Sequence, residues 1–244
     1  MKKIALITGG SRGLGKDMAL KLAGAGVDVI LTYRTKEAEA HAVVEQIHSA
    51  GGRAVALQLD VGVAASFGEF AERVRAALQS TWGRENFDYL VNNAGMGVHA
   101  PFAQTTEEQF DALMNVHLKG PFFLTQRLLP LIADGGRILN ISTGLSRFSF
   151  PGYAAYATMK GGIEVLTRYL AKELSDRKIT VNVLAPGAIE TDFGGGAVRD
   201  NEQLNAQLSA MTALGRVGLP DDIGGAVVAL LSEAQVGSCS KQTL

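Results

Sequence analysis

Residues 3–8 form a short apolar run that stops on Thr8-Gly9-Gly10-Ser11-Arg12-Gly13-Leu14-Gly15. An amphipathic segment follows, with Met18, Leu22 and Ala25 at helical spacing. A buried strand that breaks on glycines and restarts as a helix commits the chain to strand–helix units. The alternation continues: strands are expected at 27–33, 54–59, 89–91, 137–141 and 180–184. Helices are expected at 37–50, 66–81, 107–132, 156–174 and, more polar, 201–211. Strands that are apolar at nearly every position are buried on both faces. The fold class is therefore α/β, a doubly wound, mostly parallel sheet with helices on both sides. No linker, low-complexity tract or internal repeat divides the 244 residues, and 47% hydrophobic content supplies one sizeable core, so 1–244 reads as a single domain.

The net charge of −1 and the lack of any basic block argue against nucleic acid or an anionic membrane as partner. The N-terminal apolar run is too short for a signal peptide, and no charge-free apolar run is long enough to span a bilayer. Cys239 is the single cysteine, which excludes an internal disulfide and a cysteine metal site and points to a reducing, cytoplasmic location. His41 and His48 fall on a surface helix, and His117 follows Asn115 by two; none has metal-ligand company, so no metal is expected.

Two motifs carry chemistry. Glycines 9, 13 and 15 stand between the first strand and the first helix, where they allow a tight turn and leave helix N–H donors open to a pyrophosphate. Leu31-Thr32-Tyr33-Arg34-Thr35 ends the second strand with no acid to accept a ribose 2′-hydroxyl. Arg34, with Arg12 from the glycine turn, would instead pair with a 2′-phosphate, so NADP(H) is the expected cofactor. Tyr156 and Lys160 are four apart and share a helix face. Moving a phenol from its usual ~10 to near neutrality takes roughly 4 kcal/mol. A cation about 4 Å away supplies on the order of 4 kcal/mol at an effective dielectric near 20, so Lys160 is expected to acidify Tyr156.

Together, Thr8-Gly9-x-x-x-Gly13-x-Gly15, Asn92-Asn93-Ala94-Gly95, Asn115, Ser142-Thr143, Tyr156-x-x-x-Lys160 and Pro186-Gly187 resemble the short-chain dehydrogenases/reductases, over residues 3 to about 232. The resemblance implies a Rossmann fold. It implies Tyr156 as proton donor to a carbonyl or acceptor from an alcohol, Lys160 on the nicotinamide ribose, and a hydroxyl at Thr143 on the substrate oxygen. Asn115 would fix a backbone kink and a water leading to Lys160. Gly9, Ser11, Arg12, Gly13, Leu14, Gly15, Tyr33, Arg34, Thr35, Asp60, Val61, Asn92, Ala94 and Gly95 would line the cofactor. Pro186, Gly187, Ile189 and Thr191 would meet its nicotinamide end. A homo-oligomer, dimer or tetramer, is implied as well.

Two departures stand out. Serine is usual thirteen residues before the tyrosine, and here Thr143 holds that position with Ser142 beside it; successive strand residues face opposite ways, and the register of 136–138 selects Thr143. The tail, 234–244, has neither alternation nor an apolar run, so the family's final strand is expected to be missing or poorly formed, which puts the tetramer in question. Around the pocket, His99, Phe102, Phe148, Phe150 and Phe193 suggest an apolar or aromatic carbonyl substrate, and Gly194-Gly195-Gly196 opens a substrate lid at about 190–215. The leading reading is an NADPH-dependent carbonyl reductase. The alternatives are a reductase of 3-oxoacyl thioesters, disfavoured by Ala133-Asp134-Gly135-Gly136 where carrier-binding relatives have basic residues, and a catalytically silent NADP-binding scaffold or sensor.

Overall fold

In the computed structural model, which describes residues 2–232, β1 (Ile4–Ile7) is buried at all four positions and forms the middle of the sheet. The glycine turn leads into α1 (Gly13–Gly24), and β2 (Asp28–Tyr33), α2 (Glu37–Ser49) and β3 (Ala54–Gln58) follow. After α3 (Phe67–Trp82) comes β4 (Phe87–Asn92), buried throughout like β1 and β2. The six strands run parallel in the order β3-β2-β1-β4-β5-β6, the crossover lying between β1 and β4. Ligands of such sheets bind outside the C-terminal strand ends at that point of reversal.

The expected helix over 107–132 is three pieces. Thr106 starts α4 (Glu107–Met114) with a capping box closed by Gln109. A π turn, Asn115–Lys119, follows, and then α5 (Gly120–Leu128). The switch falls at Gly120, whose N–H donates to Asn115 O, one residue farther than an α-helix allows. A side chain at Gly120 would land on the Val61 carbonyl oxygen, so this close approach admits only glycine. Pro130 follows α5, and the chain enters β5 (Ile132–Ile141) earlier than its apolar run suggests.

Next come α6 (Ala154–Glu173), β6 (Thr180–Leu184), the short α7 (Ala197–Asp200), α8 (Glu202–Ala210) and α9 (Pro220–Leu231). Two cores pack on opposite faces of the sheet. Phe67, Phe70, Val74, Leu124 and Leu128 of α3 and α5 cover one; Met18, Leu22, Val43, Ile47 and Val227 of α1, α2 and α9 cover the other. The tail at 234–244 and its expected missing strand lie outside the described residues. No helix among the described residues is long and apolar enough to cross a membrane.

Candidate active site

The glycine turn closes against β4's end. Gly9 (φ 69°) and Gly13 (φ 54°) occupy the left-handed region. A Cβ on Gly15 would fall on the Gly9 carbonyl oxygen. Thr8 Oγ1 accepts from the amides of Asn93 (2.9 Å) and Ala94 (3.0 Å), while Asn93 Nδ2 donates to Thr8 O (2.9 Å) and Gly9 O (3.2 Å). No side chain caps α1, whose first-turn N–H groups are left for an anion. A backbone this bare of side chains, ending at an uncapped helix, fits a dinucleotide's pyrophosphate.

At β2's end Arg34 and Thr35 are exposed, and Tyr33 is buried with its hydroxyl donating to Glu37 Oε1 (3.1 Å). The Arg12 guanidinium lies 3.8 Å from Asp192, so the second cation expected for a 2′-phosphate is paired with the 190s segment. Asp60 Oδ1 accepts from Gly62 N (2.8 Å), closing a local turn. Val61 packs its side chain into the core, and Asn92 points inward too. The Asn92 amide donates to Thr125 Oγ1 (3.0 Å) and Asn140 Oδ1 (2.8 Å), a buried ladder that Asn140 extends to Thr167 (2.9 Å). The Val61 and Asn92 side chains thus tie the sheet to α5 and α6. Pro186 O accepts from Gly144 N (2.8 Å), beside exposed Gly187. Ile189 bridges to Gly218, and Thr191 lies against Gly13.

Tyr156 and Lys160 emerge from α6 into a buried site. Ser142 turns its hydroxyl to Glu164 (3.0 Å) and Lys160 O (3.3 Å), and Thr143 faces the phenol. Burial pushes Tyr156 up to about 12, and the Thr143 hydroxyl works against that shift. Lys160 Nζ sits 5.8 Å from the Tyr156 ring centroid and donates to Ile141 O (2.6 Å); burial brings it down to about 8. Burial is the largest cause of both shifts, and it moves the phenol and the ammonium alike toward their neutral forms.

The Asn115 carbonyl accepts from Gly120 N and closes the π turn. The imidazole at the centre belongs to His117, which packs edge-on to Tyr156 (5.0 Å, 89°) and hydrogen-bonds Met96 O (2.7 Å). Burial and the Lys160 charge bring His117 down to about 3. Gly95 lies beneath this ring; a Cβ there would stand 2.8 Å from His117 Cε1. Aromatic side chains line the outer part. Phe193 packs on Tyr156 (5.6 Å), Tyr153 on Tyr156 (6.3 Å), and His99 (5.1 Å) and Phe150 (6.1 Å) on Tyr153, while Phe102 and Phe148 project outward. Among the described residues no group of three His, Cys, Asp or Glu side chains could hold a metal.

The family model described as enoyl-(acyl carrier protein) reductase matches residues 9–240. The chain belongs to the short-chain dehydrogenase/reductase family. An uncharacterised oxidoreductase of Methylorubrum extorquens is 39% identical over 231 residues, covering 95% of this chain and 91% of its own. A hydroxynaphthalene reductase-like protein of Metarhizium brunneum is 36% identical over 239 residues (93% and 87%). The solved angucycline C-6 ketoreductase LanV with bound NADP superposes with TM-score 0.92 at 36% identity, over 98% of this chain and 91% of that one. In this short-chain dehydrogenase/reductase the tyrosine is flanked by Thr143, which faces the phenol, and by His117, packed edge-on to it. From sequence alone Tyr153 carries no role, His117 is weighed only as a metal ligand, and Thr8 and Asn93 stand in motifs without a role of their own. Tyr153 could have been found as an aromatic three residues before Tyr156, whereas His117 declares itself only through its contact with Met96, 21 residues away.

Proposed function

We propose that this chain is an NADP(H)-dependent carbonyl reductase, transferring a hydride reversibly between nicotinamide and a ketone or aldehyde. The observation that carries the reading is the buried Tyr156 phenol, facing the Thr143 hydroxyl and next to Lys160. Held up at about 12, Tyr156 keeps its proton through neutral pH and is ready to donate it to a carbonyl oxygen. Thr143 hydrogen-bonds that oxygen, and Lys160 holds the ribose hydroxyls. Asn115 shapes the kink beside them. The bound cofactor supplies the hydride.

The backbone of Gly9, Ser11, Arg12, Gly13, Leu14 and Gly15 takes the pyrophosphate, and Arg34 takes the 2′-phosphate from its exposed place beyond β2. Thr35, Asp60, Ala94, Gly95, Pro186, Gly187, Ile189 and Thr191 line the rest. NADP bound to LanV supports the cofactor, and the ketoreductase and hydroxynaphthalene-reductase-like relatives support the reaction. Residues 190–215 act as a lid, docked by Thr191 on Gly13 and by Asp192 on Arg12. The aromatic lining of Tyr153, Phe193, His99 and Phe150 favours an aromatic ketone. A homo-oligomer belongs to the same reading, supported by the exposed Phe122, Phe123, Val165 and Tyr169 of α5 and α6.

The family model's description names a carrier-linked acyl substrate, which favours reduction of the ketone of a 3-oxoacyl thioester as a second reading. The panel of free ketones and diketones therefore includes a carrier- or CoA-linked 3-oxoacyl substrate, each run with NADPH and NADH. Tyr156→Phe is expected to cut turnover by about 10³-fold or more, with NADPH binding retained by nicotinamide fluorescence. Full activity in that variant would overturn the mechanism, and turnover confined to the thioester would replace the substrate class.

A further inference from the structure

His117 lies in the π turn, 1% exposed, with its ring fixed at two edges. Nε2 is 2.7 Å from Met96 O and 3.2 Å from Met96 N. A carbonyl oxygen only accepts, so the shorter contact assigns the proton to Nε2, and the Met96 amide then meets an N–H and forms no second bond. Nδ1 is consequently a bare acceptor. It is buried and has no hydrogen-bond partner. Against this ring stand the Tyr156 phenol and Lys160 ammonium from α6, and Met96 and Gly95 from the segment after β4. Lys160 offers three protons, of which Ile141 O takes one. An unused acceptor and an under-used donor thus share one water-poor interior, and phenylalanine would have filled the same volume without a stranded lone pair.

We infer that His117 is a positioning residue for the Tyr156–Lys160 pair. Its ring fixes the plane of the phenol, and its bare Nδ1, which no protein donor reaches, accepts a hydrogen bond from one water held by the Lys160 ammonium, keeping that group charged and aimed. The inference rests on Tyr156 as proton donor.

His117→Phe keeps a ring against Tyr156 and removes both nitrogens. It is expected to lower kcat about 10-fold or more while the NADPH Kd stays within about 2-fold. With the acceptor gone, the alkaline limb of the kcat profile moves down by about 1 pH unit. His117→Asn, whose Oδ1 falls where Nδ1 stands, should restore that limb. A Phe variant with wild-type kcat and limb, or an Asn variant indistinguishable from Phe, overturns the inference. A second readout needs neither a variant nor turnover. In ¹⁵N-histidine NMR of the wild-type protein, His117 must be a neutral Nε2–H tautomer at pH 7. An Nδ1–H tautomer or an imidazolium there refutes it, whichever way the Tyr156→Phe assay falls.

Discussion

Lys160 answers to two opposed demands. Catalysis wants its ammonium beside Tyr156, and burial penalises that charge, which is why it is down at about 8. The unfolded chain keeps this proton up to the ordinary value of 10.5, whereas the folded protein releases it above about 8. Between those values the unfolded state binds more protons, so the lysine's contribution to stability rises with pH; below about 8 the full cost of a buried cation is present. Lys160→Met should therefore abolish reduction yet stabilise the fold at pH 7 by about 1–3 kcal/mol, with the gain shrinking toward pH 10. Urea midpoints of both proteins at the two pH values check this; a variant less stable at pH 7 would refute it. In the wild type, carbonyl reduction should be flat to about pH 7 and fall to half as Lys160 titrates near 8. The pair itself was legible in sequence, because i, i+4 spacing on a helix is a local rule. Its electrostatics were not, since how far Tyr156 and Lys160 are desolvated depends on Phe193, His117 and Ile141, remote in the chain.

The helices and strands followed the apolar pattern wherever that pattern was the only constraint. α2, α6 and β6 fall within a residue or two of the expected spans. The expected helix over 107–132 failed because an i→i+5 turn leaves the apolar periodicity almost undisturbed, and what imposes it here is tertiary: Gly120 meets the loop after β3 at Val61. Gly120→Ala tests that cause. The added methyl cannot share space with Val61 O, and it would stand 2.8 Å from Asn115 O, so α5 must shift or the turn must unwind. Either response moves His117, three residues earlier. A loss of about 1–3 kcal/mol is expected, as for overpacking elsewhere, with a fall in kcat larger than the change in NADPH Kd. Thermal melts with ligand titration check it, and a variant matching wild type in both would show that the π turn is not held by this contact.

Across the whole molecule, stability and chemistry sit at opposite edges of one sheet. The C-terminal strand ends carry the glycine turn and lead to Thr143 and the α6 pair. The N-terminal ends are pinned by two buried carboxylates. Asp28 accepts from Trp82 Nε1 (2.8 Å) and from the Arg53 amide (3.1 Å) and Nε (3.2 Å), tying β2 to α3 and to the turn before β3. Asp88 accepts from the Ile4 amide (2.9 Å) and Arg84 Nη1 (2.9 Å) and lies 3.2 Å from Lys3 Nζ, locking β1 to β4. Neither carboxylate was legible as an anchor, because each interrupts an apolar strand and finds its partners only once the sheet has formed. At about 3.3 Å per residue, β4 holds Asp88 roughly 13 Å from Asn92 at the strand's C-terminal end. Asp88→Ala strands a buried amide and a largely shielded guanidinium, for which about 3–5 kcal/mol is the usual loss. Asp88→Asn, which keeps one acceptor for Ile4, should lose less. Neither should alter NADPH affinity or turnover per folded molecule, the reverse of Tyr156→Phe. Chemical denaturation paired with active-site titration separates the two, and a fall in kcat per folded Asp88→Asn molecule would show that the edges are mechanically coupled.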